Sequence, residues 1–327
     1  MRTPHFFKTP TLLFLIGIFF WANTLQAQFS WDLKEALKKP KKVTGLMYRT
    51  NNSDLAFPKD IFKLVNLQHL DVSSQYFKNK EFPSAIGQLR KLKHLEISNN
   101  QFNALPDEMK SLKNLRYLNL GSNQFTSLPK VLSQMPHLDS LVLGENPFTD
   151  IGQLIKQIAQ IKSLKYLELL QINLKGIDLS VLKQLKSLKL SGCGESGFLQ
   201  SLTKLKNLQA LGLRRFQDFP TEVLSLKQLT YLNLMKCRFN NVPKEIAQLT
   251  NLESLSFYRG AITDLPTTIG KLKKLTHLNI GRTKITVIPE IVKQLKQLKR
   301  LNVRRLKISD SEKQALKKAL PNTKIIF

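Results

Sequence analysis

The sequence contains few cysteines and few acidic residues, and it lacks the short motifs of common catalytic sites. Two cysteines stand among 327 residues, and 23 acidic side chains face 51 basic ones, which gives a formal charge of +28. There is no glycine loop followed by Lys-Ser or Lys-Thr, no His-Glu-x-x-His helix and no Gly-x-Ser-x-Gly elbow. None of the five histidines has an evident serine or cysteine nucleophile beside it. We therefore predict no catalytic residues and no cofactor.

Long apolar runs are absent after the first 27 residues. Arg2 and Lys8 precede an apolar segment from Leu12 to Trp21, and the small residue Ala27 follows it. This order is typical of a secretory signal peptide, and the segment is shorter than the roughly 20 residues that span a membrane. We expect export to the periplasm, the cell surface or the medium, with no transmembrane span in the mature chain. An uncleaved N-terminal anchor is the alternative.

The remaining chain is built from a repeat of 21 to 26 residues. In the copy from Leu115 to Asn123, apolar residues occupy positions one, four and six, and Asn occupies position nine. Such a period indicates a solenoid, and the alternation between positions four and six predicts a strand with one buried face. The copies begin at Leu67, Leu92, Leu115, Leu138, Leu164, Leu185, Leu208, Leu229, Leu252, Leu275 and Leu298.

The end of each strand has its own pattern. Asn100, Asn123 and Asn146 share position nine, where an amide side chain can satisfy backbone groups that the turn leaves free. An apolar residue and a Leu-Pro step follow, as in Leu128-Pro129. Proline suits the first position of a short helix, which we predict after it.

These residues resemble the leucine-rich repeat family, and among its members the chain is most similar to exported bacterial proteins with repeats of about 23 residues. The resemblance implies an α/β fold: a curved, horseshoe-shaped solenoid with a parallel β-sheet on the concave face and short helices or turns on the convex face. It covers about Val43 to Phe327. The signature is specific for the fold and says little about the ligand.

The resemblance also frames the domain organisation. We expect a signal peptide at 1–27, an N-terminal capping helix at 28–42, eleven or twelve repeats at 43–308 and a C-terminal cap at 309–327. In the first cap, Ser30 is expected to cap a helix from Trp31 to Lys38, with Trp31, Leu33 or Leu37 turned inward. In the second, Ser309 or Ser311 is expected to cap a helix that runs to Leu320.

Positive charge concentrates in the C-terminal half, where residues 171–327 carry 29 basic and 10 acidic side chains. Position eight should point from the concave surface, and adjacent strands lie about 4.8 Å apart. The sequence thus predicts a cationic row roughly 20 Å long, which could bind an anion. The alternative is a solvated surface that only aids solubility. The candidate anion-binding residues are Arg214, Arg215, Lys236, Arg259, Arg282, Arg300, Arg304 and Arg305.

Two other groups fall on the predicted concave face. His69, Asp71, His94 and Glu96 form a square of two imidazoles and two carboxylates, which could bind zinc or another transition metal; a polar patch is the favoured interpretation. Aromatic residues on an open face suit contacts with a protein partner, although β-propensity alone also explains them. These aromatic residues are Tyr117, Tyr166, Tyr231 and Tyr258.

Cys193 and Cys237 share position nine two copies apart, so their separation should be about 10 Å. A disulfide needs Cα atoms within roughly 7 Å, and we therefore predict two buried, reduced thiols in place of Asn.

Two functions remain open at this point. The first is an exported, non-catalytic protein that binds another protein through its concave sheet. The second is a surface binder of acidic polysaccharide or lipopolysaccharide through the arginine row. Export argues against nucleic acid as the partner. A purely structural scaffold is a third possibility.

Overall fold

The computed structural model describes residues 29–50, 56–77, 79–194 and 197–327. The expected signal peptide at 1–27 lies outside the described residues. Across the described ranges, no helix has the length and apolar character that crossing a membrane requires. The chain divides into two compact units, with the boundary between Ile172 and Asn173.

The described residues of the first unit form seven short parallel strands, each paired with its neighbours in chain order. The side chains of its buried leucines at positions four and six point away from the surface that positions three and five form. The strands are β1 (Phe29–Ser30), β2 (Gly45–Met47), β3 (His69–Asp71), β4 (His94–Glu96), β5 (Tyr117–Asn119), β6 (Ser140–Gly144) and β7 (Tyr166–Leu170).

The second unit repeats this arrangement, and its part covered by the structure has seven more parallel strands in chain order. Position three of one strand lies opposite position three of the next, so equivalent positions form rows across the strands. The strands are β8 (Ser187–Ser191), β9 (Ala210–Arg214), β10 (Tyr231–Met235), β11 (Ser254–Ser256), β12 (His277–Asn279), β13 (Arg300–Asn302) and β14 (Lys324–Ile326).

Short helical segments connect the strands. Seven described segments are five-residue 3₁₀ helices: Lys59–Lys63, Ser84–Gln88, Asp107–Ser111, Lys130–Gln134, Thr221–Ser225, Lys244–Gln248 and Thr267–Lys271. The α-helices are α1 (Leu33–Lys38), α2 (Ile151–Gln160), α3 (Leu199–Leu202), α4 (Glu290–Gln294) and α5 (Asp310–Ala319).

The proline of the Leu-Pro step lies one residue earlier than predicted. Pro106, Pro129 and Pro243 occupy the N-cap of the following 3₁₀ helix rather than its first position. A 3₁₀ helix rises about 2.0 Å per residue against 1.5 Å for an α-helix, so five residues suffice for the return to the next strand. The longest copy, from Leu138 to Leu164, has room for the ten-residue helix α2.

The leucines that define the repeat form the core. Leu115, Leu118 and Leu120 are completely buried, and the apolar residues at the same positions of the other copies are at most 2% exposed. Buried phenylalanine rings add to this core on the turn side, and Phe82 packs edge-on against Phe102 with ring centroids 5.1 Å apart. Stacking one copy on the next therefore gives each unit a continuous apolar interior.

The asparagine row at position nine performs its predicted role. The Asn123 amide donates to the carbonyl oxygens of Ile97, Leu120 and Gly121 at 3.0 to 3.2 Å, and its Oδ1 accepts from the Phe102 N–H at 3.1 Å. Each of the three carbonyl oxygens also accepts a second donor, from the Asn100 amide, the Asn146 amide or the Asn99 N–H, so the asparagine row links the turns of adjacent copies.

The two cysteines are buried and form no disulfide with each other, as predicted. The Cys237 thiol lies 3.7 Å from the Leu213 carbonyl oxygen and 3.8 Å from that of Met235, the same two positions that an Asn amide contacts in earlier copies. The Cys193 thiol lies 3.6 Å from the Ser191 carbonyl oxygen. A weak S–H donor thus substitutes for the amide.

The N-terminal helix differs from its prediction. Asp32 rather than Ser30 caps helix α1, because its carboxylate accepts from the Lys34 N–H at 2.7 Å. The Ser30 hydroxyl instead donates to the Asp32 carbonyl oxygen. The helix buries Ala36, while Trp31 precedes it and is 66% exposed.

The C-terminal segment follows its prediction. Ser309 caps helix α5 by accepting from the Glu312 N–H at 3.2 Å, and the helix ends before Leu320. Strand β14 then pairs with β13 and covers the last leucine copy.

Candidate functional site

Position eight has the same unusual backbone in every leucine copy. All eleven residues there have a positive φ, between 50° and 67°, which is the left-handed region that glycine and asparagine adopt most readily. In each unit the position-eight N–H donates to the next strand, as Lys236 does to the Tyr258 carbonyl oxygen at 3.0 Å. The residues are Ser74, Asn99, Ser122, Glu145, Gln171, Gly192, Arg215, Lys236, Arg259, Arg282 and Arg305.

In the second unit, five consecutive copies place a cation in this left-handed position. We call Arg215, Lys236, Arg259, Arg282 and Arg305 the cationic row. A non-glycine residue in the left-handed region costs on the order of 1 kcal/mol or more. Arginine and lysine have no local hydrogen bond with which to offset this cost, unlike asparagine. The five cations therefore stand at backbone positions that disfavour them.

The charges of the cationic row act on one another along its whole length. Arg214 chiefly, then desolvation, then Arg259 and Arg215, lower the pKa of Lys236. Desolvation, and then Arg305, Arg259 and Arg304, lower the pKa of Arg282, while Tyr258 opposes this shift. The row is thus one continuous cluster of like charge.

Tyr258 is the aromatic centre of this surface. It occupies position seven of its copy, and the guanidinium carbons of Arg259 and Arg282 lie 5.7 Å and 5.9 Å from its ring centroid. Both distances are within the range of a cation–π contact, which holds the two guanidinium groups beside a partly exposed ring. The neighbours of Tyr258 at position seven are Met235 and Gly281.

The cations of this surface have no anionic partner on the described chain. No described carboxylate forms an ion pair with any residue of the cationic row, and positions three, five, seven and eight of the second unit contain no Asp or Glu. Three buried polar atoms there also have no hydrogen-bond partner: Nε of Arg214, Nε of Arg282 and Oδ1 of Asn233, whose residue is only 6% exposed. Two unsatisfied donors and one acceptor therefore lie among the uncompensated charges.

The outward face of the first unit has the opposite charge, and its side chains satisfy one another. Arg49 binds both carboxylate oxygens of Asp71, at 2.7 Å and 3.1 Å. Glu96 accepts from the Asn119 amide at 3.0 Å, and burial raises its pKa. Glu145 accepts from the Gln171 amide at 2.8 Å. These acids are occupied within the fold.

The predicted square of His69, Asp71, His94 and Glu96 does assemble, because β3 and β4 pair His69 with His94 and Asp71 with Glu96. The His94 ring, however, stacks on Tyr117 with centroids 4.0 Å apart and an interplanar angle of 2°. Burial, and then the charge of His69, lower the pKa of His94 to about 4.

These side chains are arranged for contacts with protein groups. Among the described residues, no three His, Cys, Asp or Glu side chains are placed to hold one metal ion. The contacts of the square in this structure include those with the Tyr117 ring, Arg49 and Asn119.

The four candidate tyrosines differ in their exposure and in their contacts. Tyr117 is held between the His94 ring and Glu96, whose Oε2 lies 3.4 Å from its hydroxyl. Tyr166 is partly exposed. Tyr231 is only 9% exposed, so little of its side chain is open to a partner in this structure. It lies in register between Ala210 and Ser254, whose small side chains leave room for its ring against the sheet.

The outer arginines widen the cationic row. Arg300 is exposed at position three of β13, and Arg304 is exposed at position seven of the same copy. Arg214 holds position seven at the other end of the surface. We call the surface formed by the cationic row with Arg214, Tyr258, Arg300 and Arg304 the basic strand face.

Two features of this surface were missed from the sequence. One is the left-handed backbone of position eight, although Asn99 and Gly192 at the same position carry that signal. The other is Asn233, because its unsatisfied oxygen depends on side-chain packing that a repeat pattern does not specify.

Comparison with known proteins agrees with this architecture. The family described as "Leucine-rich repeat region" matches residues 217–323, and the family described as "Leucine rich repeat" matches residues 90–148. No curated protein matches the sequence.

Several solved structures are similar. A leucine-rich repeat protein of Leptospira interrogans is 28% identical, with 92% of this chain and 100% of that chain covered and a TM-score of 0.49. An internalin of Listeria monocytogenes is 19% identical, with coverage of 90% and 92% and a TM-score of 0.53. A chain of the Toll–Spatzle complex of Drosophila is 20% identical, with coverage of 81% and 40% and a TM-score of 0.55.

The family matches fall on both units, in the stretches where leucines at positions one, four and six are buried beneath parallel strands. The solved structures share this strand and turn architecture. The chain belongs to the leucine-rich repeat proteins.

Proposed function

We propose that this protein is an exported, non-catalytic binding protein that docks an acidic region of a protein partner on the basic strand face. Leucine-rich repeat proteins, bacterial internalins among them, generally mediate protein–protein interaction. The similar Drosophila chain was solved in a complex with a protein partner. Fold similarity alone does not identify a ligand, so the proposal depends on the side chains of the surface.

The observation that carries the proposal is the uncompensated charge of the cationic row. The first unit places acids on its outward face and satisfies them with Arg49, Asn119 and Gln171. The second unit places cations on the same strand positions, and no described carboxylate pairs with the cationic row. An acidic partner would provide the missing counter-charges and raise the association rate through electrostatic steering.

The aromatic centre favours a protein over a glycan. Tyr and Arg are the residue types most enriched at the energetic centres of protein interfaces. Tyr258 lies between Arg259 and Arg282, with Met235 and Gly281 on either side at position seven, which gives the surface an apolar centre and a charged border. Acidic polysaccharide or lipopolysaccharide remains the second candidate, since it could use the cations without the ring.

The test uses extracts of the cell envelope and culture medium of the source organism. Wild-type protein is compared with a row variant, Arg215, Arg259, Arg282 and Arg305 each changed to Ser. The matched control changes four exposed lysines outside the strands, Lys206, Lys227, Lys271 and Lys273, to Ser. Both variants lose the same charge, so net charge alone cannot explain a difference between them.

We expect the wild type and the lysine control to retain a specific protein that the row variant does not retain. Protease treatment of the extract should abolish this capture. Capture that survives protease and is competed by purified lipopolysaccharide or acidic polysaccharide would instead establish the second candidate. Equal capture by all three proteins would contradict any role of the cationic row.

A further inference from the structure

The spacing of the cationic row restricts the shape of the partner, if the proposed function holds. Each copy from β9 to β13 contributes one cation, which lies one residue after strands β9 and β10 and three residues after strands β11, β12 and β13. Neighbouring strands are about 4.8 Å apart, so five cations cover about 19 Å in four steps. The N–H groups of the first four cations are hydrogen-bonded to the next strand at 2.8 to 3.3 Å, which fixes the positions from which the side chains extend.

Different backbone conformations place acidic groups at different intervals along one side. An extended strand turns every second residue to the same side, about 6.7 Å apart, or about 27 Å in four steps. A polyproline II segment repeats every three residues, about 9.3 Å, or about 37 Å in four steps. An α-helix brings a residue back to the same side at every turn, about 5.4 Å apart, or about 22 Å in four steps. The helix alone stays within about 3 Å of the row over its whole length, a difference that flexible arginine side chains can absorb.

The position-seven residues, which lie beside the cationic row, also suit a helical partner. Position seven presents Met235, Tyr258 and Gly281 in the middle, with Arg214 and Arg304 at the ends. A helix that turns acids toward the cationic row would lay its adjacent side chains on Met235 and Tyr258. Gly281 has no side chain, and a Cβ atom there would lie 2.9 Å from Asn302 Oδ1. No side chain therefore projects from this position toward a partner.

We infer that the partner element is an α-helix that lies across strands β9 to β13, with an acidic residue on each of about five turns and an apolar stripe beside the acids. The acids contact the cationic row, and the apolar stripe covers Tyr258 and Met235. Five turns correspond to about 18 residues.

The test uses three synthetic peptides of 18 residues. The striped peptide has Glu at i, i+4, i+7, i+11 and i+14 on an alanine-rich helix, with Leu in the neighbouring stripe. The scattered peptide has the same composition with Glu distributed around the helix, and circular dichroism confirms equal helicity. The extended peptide carries the same five Glu at alternate positions and contains proline. Binding is measured by fluorescence anisotropy at 0.15 M salt.

We expect the striped peptide to bind at least tenfold more tightly than the other two. The row variant should lose at least tenfold, the lysine control should bind as the wild type does, and Tyr258→Ala should weaken the striped peptide several-fold. Circular dichroism and thermal unfolding of each variant exclude a folding defect as the cause.

The negative results distinguish the helical partner from the proposed protein-binding function. Equal binding of the striped and scattered peptides, dependent on the cationic row, would refute the helical partner and leave an acidic protein ligand in place. Tighter binding of the extended peptide would refute it equally. If no peptide binds and a sulfated polysaccharide does so in a row-dependent way, the proposed protein-binding function itself fails.

Discussion

Replacing two arginines of the cationic row with asparagine should stabilise the protein while weakening its binding. Arg215 and Arg305 have φ values of 67° and 60°, both are exposed, and neither contacts an aromatic ring as Arg259 and Arg282 do. Asn adopts the left-handed region several-fold more readily than most residues. The double variant Arg215→Asn/Arg305→Asn therefore relieves backbone strain without removing a described stabilising contact.

The size of the gain follows from that preference. A several-fold difference in population corresponds to about 0.6 to 1 kcal/mol per site. The two sites are four strands apart, so their contributions should add to about 1 to 2 kcal/mol. For a unit of this size that raises Tm by roughly 2 to 8 °C. The charge of Arg215 repels that of Lys236, and the charge of Arg305 repels that of Arg282. Removing the two arginines therefore adds a second gain in stability, which salt should reduce by screening the repulsion.

Thermal unfolding at 20 mM and 300 mM NaCl measures both contributions to stability, the relief of backbone strain and the relief of charge repulsion. The matched control for each of the two single substitutions is Arg300→Asn, which likewise removes one charge, but from an ordinary strand position, where asparagine is unfavourable. The double variant should have the higher Tm at both salt concentrations, with the larger gain at low salt. A Tm at or below that of the wild type would refute the claim that position eight is strained. Unchanged binding of acidic peptides would refute its link to function.

Three further predictions concern the interior and the first unit. Asn123→Ala should cost about 1 to 3 kcal/mol in denaturant unfolding, because it leaves the Phe102 N–H without its partner and removes one of two donors from three carbonyl groups, whereas the exposed Asn103→Ala should be nearly neutral. The His94 pKa is about 4 in the fold against 6.5 in the unfolded chain, so the unfolded chain binds more protons between these values. Stability should therefore fall as pH is lowered from 6.5 to 4, and His94→Gln should flatten this dependence; an unchanged slope would contradict it. Burial raises the pKa of Cys237 to about 11, and both thiols are buried, so a thiol reagent at pH 8 should label Cys193 and Cys237 only in denaturant; rapid native labelling would show that one of them opens.

The core and the strand register were predictable because they depend on period alone. Leucines at positions one, four and six can be buried together only if each copy stacks on the next in register, so pairs such as Leu255 with Leu278 follow from the spacing. The asparagine row was predictable for a similar reason. A polar side chain at the same step of successive copies, next to a turn, has backbone groups as its available partners.

The local chemistry of caps and side chains was less predictable. Ser30 and Asp32 are both good N-cap residues, and the choice between them depends on the exact path of the chain into helix α1. Tyr231 and Tyr258 belong to adjacent copies, yet Tyr231 is buried and Tyr258 carries two guanidinium groups. They occupy positions three and seven, and the neighbours at each position, such as Ala210 beside Tyr231, are ones that the repeat leaves variable.

The left-handed backbone at position eight connects fold, stability and function. The repeat imposes this conformation on all eleven copies, and Gly192 and Asn99 show that residues suited to it occur there. In the second unit five cations occupy it instead, next to one another and without a described carboxylate. Strain and repulsion act in the same direction at these positions, so the fold would be more stable without the charges. The simplest physical reason for cations at this cost is a counter-charge that arrives with the partner, which is why stabilising the row and weakening the binding should occur in the same variant.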